Sequence, residues 1–133
     1  MLFDTKLLKA DLSEKSRYIR ITRMKSGPDF EAVVTLLPTE EGGREGYTVT
    51  GYRPQCELAD GWRTTGAHQY IGRERLYPGE SSLTNISLLS PLERCLCVGS
   101  ELRIMEASKV VGLAKVTKIF NKILCAESGK QED

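Results

Sequence analysis

The rhythm of apolar and polar positions changes at Gly27-Pro28. Ahead of that punctuation, Phe3, Leu7, Leu8 and Leu12 form a partial apolar stripe that predicts a short helix over residues 4–16. Residues 17–24, RYIRITRM, have the β-branched and aromatic content of a strand. From Phe30 onward the pattern is that of an all-β protein. FEAVVTLL reads as a buried strand stopped by Pro38 and a glycine loop, followed by GYRPQCEL, RTTGAHQYIG and RERLYPGE. In SSLTNISLLSP, Leu83, Asn85, Ser87 and Leu89 alternate with Ser82, Thr84, Ile86 and Leu88. SELRIMEASKVVGLAKVTKIF reads as two strands with a turn near Ala107-Ser108-Lys109. Short strands split by Gly, Pro and Ser predict a small sandwich or barrel. Closure into a barrel would remove the edges such strands otherwise expose. The expected organisation is a basic extension (1–28), the β-domain (29–122) and a flexible tail (123–133).

A chain of 133 residues can bury a core as one domain without staples. Hydrophobic residues at 40% and charged residues at 28% exclude a disordered chain. The net charge of +1 gives no global field to attract nucleic acid, so RNA binding would need a local patch. Cations concentrate in the extension, at Lys6, Lys9, Lys15, Arg17, Arg20, Arg23 and Lys25, while the stretch from Phe30 to Glu106 is slightly acidic. No apolar run approaches the roughly 20 residues a membrane helix requires. The start of the chain lacks a secretory pattern, so a cytoplasmic protein with Cys56, Cys95, Cys97 and Cys125 reduced is expected.

The string FEAVVTLLPTEEGGREGYTVTGYRPQ resembles the start of the C-terminal barrel of bacterial elongation factor Tu, the third domain of that translation GTPase. The similarity runs on through Thr64 and Gly72 to Tyr77-Pro78-Gly79-Glu80, similar to the family's Met-Pro-Gly-Asp turn, and to Pro91. After a two-residue insertion within LERCLCVG it recovers in LRIMEASKVVGLAKV, covering about 90 residues in all. The resemblance implies a six-stranded antiparallel Greek-key barrel. Gly42-Gly43 suits a loop closed to side chains. Tyr77-Pro78-Gly79-Glu80 suits a type II turn.

The sequence has no G-x-x-x-x-G-K-[ST] loop, so neither GTP nor another nucleotide is expected to bind, and an elongation factor's own activity is excluded. The resemblance implies a non-enzymatic binding module, working through a protein partner and linked to translation. Its alternative is binding of tRNA or structured RNA. Arg44, Gln55, Thr64 and Glu106 match family positions that face tRNA, where a guanidinium would pair with phosphate and the others would bond backbone oxygens. A basic patch of Arg17, Arg20, Arg23, Lys25, Arg63, Arg73 and Arg75 would assist. Three departures reduce the match: Glu45 replaces a histidine, Ser87 a lysine, and Ala107-Ser108 a Gly-Gly pair. A barrel separated from its family neighbours would need new cover, which residues 1–28 would supply with Leu7, Leu8, Leu12, Tyr18 and Ile19 turned inward.

Other chemistry finds little support in the residues. His68 is the only histidine and reads as a surface or core residue rather than a catalyst. Cys95 and Cys97 share a strand face but read as small buried residues, since a zinc site needs four suitably spaced ligands. Trp62 with Arg63, Arg73 and Arg75 could stack and bind single-stranded RNA, though a core-packed Trp beside an exposed loop is the simpler reading. No metal or cofactor is expected.

Overall fold

The computed structural model describes residues 27–91 and 93–126. The expected helix over 4–16, the strand over 17–24, the inward residues of the extension and the cations Arg17, Arg20, Arg23 and Lys25 lie outside the described residues. Among the described residues, eight strands come after Pro28: β1 (Phe30–Leu36), β2 (Thr48–Val49), β3 (Gln55–Glu57), β4 (Arg63–Tyr70), β5 (Arg75–Leu76), β6 (Ser81–Leu88), β7 (Glu101–Glu106) and β8 (Lys109–Ile119). Six of them close into an antiparallel barrel in the order β1-β6-β4-β3-β7-β8, while β2 and β5 pair as a separate ribbon. Strands β3, β4 and β6 lie side by side and β7 returns beside β3, which is a Greek key. No α-helix occurs among the described residues, and no helix there is long and apolar enough to cross a membrane.

Alternation along each strand builds the core. Phe30, Ala32, Val34 and Leu36 of β1 meet Ile86, Ile104, Val111 and Val116 inside, all at most 1% exposed. In β6 the inner face is Ser82, Thr84, Ile86 and Leu88, leaving Leu83 outside. Thr84 is tolerated there because its hydroxyl donates to the Ser82 carbonyl at 2.9 Å. Without that acceptor a buried hydroxyl would cost about 1–3 kcal/mol.

The start of β1 is clasped by Asp29, which is only 1% exposed. Its Oδ2 accepts the Leu88 amide at 2.6 Å and its Oδ1 accepts Asn121 Nδ2 at 2.8 Å. Its backbone carbonyl accepts the amides of Phe120 and Asn121, both at 2.9 Å. One residue thus ties the first barrel strand to the ends of β6 and β8. Packing also continues past residue 122, where a flexible tail was expected. A 3-10 turn (Lys122–Leu124) places Leu124 at 0% and Cys125 at 5% exposure, and Cys125 pairs with Leu96. The turn over Tyr77-Pro78-Gly79-Glu80 closes with the Glu80 amide donating to the Tyr77 carbonyl at 3.0 Å, Gly79 taking a φ of 91°.

No disulfide links Cys56, Cys95, Cys97 or Cys125. Cys56 is buried, and burial pushes its thiol up to about 12. Cys95 and Cys97, expected to be buried, are half-buried, and Cys97 Sγ lies 3.6 Å from Ser100 Oγ. His68 is inside the barrel at 1% exposure, edge-on to the rings of Tyr52 and Tyr70, with no hydrogen-bond partner for either ring nitrogen. Burial holds it neutral, driving its pKa from 6.5 down to about 4. The unfolded chain therefore takes up this proton first. His68's contribution to stability is complete above about pH 6.5 and is lost as pH falls toward 4, by roughly 3 kcal/mol. Urea unfolding across this window is expected to show that loss. His68→Phe should flatten the slope and leave stability at pH 7 within about 1 kcal/mol of the parent.

Candidate functional site

The β1–β2 loop folds by its own backbone bonds. After Pro38 the chain makes a 3-10 turn (Thr39–Glu41) that ends on Gly42, left-handed at φ 94°. Gly43 then packs so closely that a Cβ would sit 2.1 Å from the Leu37 carbonyl oxygen. Only glycine fits. The tight turn delivers Arg44 toward the end of β7, across a sequence separation of 62 residues. Arg44 Nε donates to Glu106 Oε2 at 2.6 Å, and its Nη1 donates to the carbonyls of Gly46 and Tyr47 at 2.7 and 3.0 Å. The guanidinium also lies 5.3 Å from the centroid of the Tyr52 ring, whose hydroxyl donates to the same Glu106 oxygen at 2.5 Å.

A second cluster begins one residue further on. Arg63 Nη1 donates to the Ala107 carbonyl at 2.7 Å and to Gln55 Oε1 at 3.2 Å. Its Nε donates to Glu57 at 3.1 Å, and Arg103 Nε donates to the other Glu57 oxygen at 2.6 Å. Register makes the latter pairs: Glu57 lies opposite Arg63 on β4 and opposite Arg103 on β7. Through the adjacent Glu106 and Ala107, the two clusters form one belt across β3, β4 and β7.

Electrostatics keep the belt ionised. Burial, the largest influence on Glu106, would raise its pKa, but the bonds from Tyr52 and Arg44 outweigh it and hold the carboxyl below its ordinary value. Arg103 and then Arg63 do the same for Glu57. Burial, followed by the bond to Glu106, pushes the Tyr52 phenol well up, so it remains a donor at any ordinary pH.

Of the residues singled out in the sequence, Arg44, Gln55 and Glu106 therefore converge. Thr64 does not. It faces the barrel interior at 9% exposure, and its hydroxyl donates to the Ser90 carbonyl at 3.3 Å. The basic patch also divides. Arg63 belongs to the belt, whereas Arg73 pairs with Glu80 at 3.0 Å and Arg75 lies 4.7 Å from the Tyr47 ring beside the β2–β5 ribbon. Trp62, expected in the core, is 53% exposed and stands in the β3–β4 turn, at the opposite end of the barrel from Arg73 and Arg75. Tyr52, Glu57 and Arg103 went unremarked in the sequence, because the β3–β7 register brings Arg103 to Glu57 and Tyr52 meets Glu106 only across a separation of 54 residues. Among the described residues no group of three or more His, Cys, Asp or Glu is placed to hold a metal. No protein-family model matches the chain.

Two measurements check this geometry. A double-mutant cycle over Arg44→Ala and Glu106→Ala should give a favourable coupling of about 1 kcal/mol in unfolding free energy, the upper range for half-exposed pairs. Ala107 occupies the left-handed region at φ 57° in the β7–β8 turn. Ala107→Gly should therefore raise the urea midpoint, by about 1 kcal/mol in free energy.

Proposed function

We propose that this protein is a non-enzymatic binding module of the kind formed by the third domain of elongation factor Tu, acting in the cytoplasm through a protein partner in a process tied to translation. The observation that carries this reading is a contiguous apolar area on the outer wall of the barrel. Val33 lies directly opposite Leu83 between β1 and β6, Leu113 sits diagonally across on β8, and the Ile71 amide bonds the Leu83 carbonyl. All four side chains are between 36% and 47% exposed. A cluster of outward-facing aliphatic residues suits contact with a protein and offers nothing to a phosphate.

The second reading, binding to the backbone of tRNA or another structured RNA, is favoured by the convergence of Arg44, Gln55 and Glu106. Against it, the guanidinium of Arg44 is already held by a carboxylate and two carbonyls. The two readings part in one paired experiment. Leu83→Arg should remove enrichment of the partner from cell extract while the far-ultraviolet spectrum is unchanged. Bulk tRNA should bind no tighter than about 10⁻⁴–10⁻⁶ M at physiological salt, the non-specific range. Tighter tRNA binding that Arg44→Ala abolishes, together with enrichment indifferent to Leu83→Arg, would replace the first reading with the second.

A further inference from the structure

The strand register divides the barrel into two ends. One carries the Arg44–Glu106 pair at the end of β7. The other gathers the start of β1, the β3–β4 turn, the β6–β7 loop and the residues after β8, because Phe30 pairs with both Ile86 and Ile119, and Gly66 with Leu88. The second end is where the chain comes into the barrel, through Gly27, Pro28 and Asp29. It is also strongly apolar at its surface. Leu89 is 75% exposed, Trp62 53%, Ile123 52% and Phe120 46%.

The backbone at three of these residues is tied to the incoming chain. The Asp29 carbonyl accepts the Phe120 amide, and Asp29 Oδ2 accepts the amide of Leu88, the neighbour of Leu89. Ile123 is held by Asn121, whose side chain bonds Asp29. A cleft of about 470 Å³, lined by Leu58 and Trp62, adjoins one of about 240 Å³ lined by Ile123. Glu93 and Arg94 wall both. The shared wall is built rather than slack. Arg94 is held left-handed at φ 56°, and its amide donates to the Ile123 carbonyl at 2.8 Å. A residue with a side chain keeps that conformation only where its surroundings dictate it.

We propose that this double cleft is the seat of residues 17–24 of the same chain, with Ile19 and Ile21, on one strand face, set over Leu89, Trp62, Phe120 and Ile123. The segment is the nearest stretch ahead of the cleft along the chain that carries paired aliphatic residues, Ile19 and Ile21. Only Lys25 and Ser26 separate it from Gly27. So short a tether places it at an effective concentration in the millimolar range. Its β-branched and aromatic residues favour an extended strand laid along a surface. The ten residue-to-residue steps from Arg17 to Gly27 reach about 33 Å when extended, enough to cross the end of a small barrel. This seat is independent of the outer-wall area proposed for a protein partner.

Amide exchange on the full chain, combined with acrylamide quenching of Trp62, the one tryptophan, tests the assignment. Amides of residues 17–24 should exchange at least ~10-fold more slowly than an unstructured peptide. Leu89→Asp and Ile123→Asp should each remove that protection and make Trp62 more readily quenched. Leu113→Asp, on the outer wall, should change neither. Unprotected amides would overturn the proposal, as would protection that survives both cleft substitutions. Protection that grows with protein concentration would overturn it too, giving the cleft to a second copy. Should either cleft variant unfold, Ile19→Asp takes its place. It must expose Trp62 while the amides of β1 and β8 stay protected, and an unchanged Trp62 sinks the idea.

Discussion

Closure of the barrel rests on β1. It is hydrogen-bonded on one side to β6 and on the other to β8, so the first barrel strand joins the two free edges left by the rest of the sheet. Without it, β6 and β8 would each present unpaired backbone groups to other chains. The joint demands close approach: a Cβ on Gly112 would lie 2.7 Å from the Thr35 carbonyl oxygen. It also demands a change of register, taken up by the irregularity between Glu31 and Ala32. Such a bulge adds local twist, which a short barrel needs to close. The clasp at Asp29 then holds the joint from the end where it would first open.

Closure is what gives the molecule two ends of different chemistry. At one, the loop carrying Arg44 reaches Glu106 only because β7 has been brought round beside β3. At the other, the segments after β6 and β8 are drawn around the point where the chain comes in, and their apolar side chains are left facing outward. Neither surface exists in any hairpin taken alone. Both depend on contacts between residues far apart in sequence, and opening β1 would disturb the Arg44 loop that follows it as well as the cleft beside its start.

Much of this was legible in the chain's own pattern. The run FEAVVTLL, the alternation in SSLTNISLL and the final hairpin about Ala107-Ser108 marked β1, β6, β7 and β8, because each carries a clear period and a clear stop. The short strands β2, β3 and β5 were harder to bound, since two or three residues cannot show a period. The site was only half legible. Arg44, Gln55 and Glu106 came from a resemblance to a known pattern, and the geometry gathers them. Thr64 matched that pattern equally well, yet strand parity turns it inward, between Arg63 and Thr65. The burial of Leu124 was hidden because a 3-10 turn after a strand has no periodic signature. His68 sits inside although no partner awaits it, where Tyr52 and Tyr70 offer ring edges rather than acceptors.

The charge arrangement at the belt bears on which partner it suits. An ion pair as exposed as Arg44–Glu106 is worth at most about 1 kcal/mol, so pairing alone would not stop a phosphate from drawing Arg44 away. The fate of the abandoned carboxylate matters more. Glu106, held below its ordinary pKa by the Tyr52 and Arg44 bonds, would lose one of its two donors and remain next to the incoming anion. Glu45, exposed beside Arg44, adds a second carboxylate. A phosphate would then meet the carboxylates of Glu106 and Glu45 as well as the cations of Arg44 and Lys109, which lies opposite Glu106, and the gain from counterion release would be reduced. A protein side chain can instead join the belt by adding a hydrogen bond to Gln55 or Arg63 without dismantling any pair. Arg44, Gln55 and Glu106 are here arranged as internal partners of Tyr52, Arg63 and one another, which favours the first of the two proposed readings.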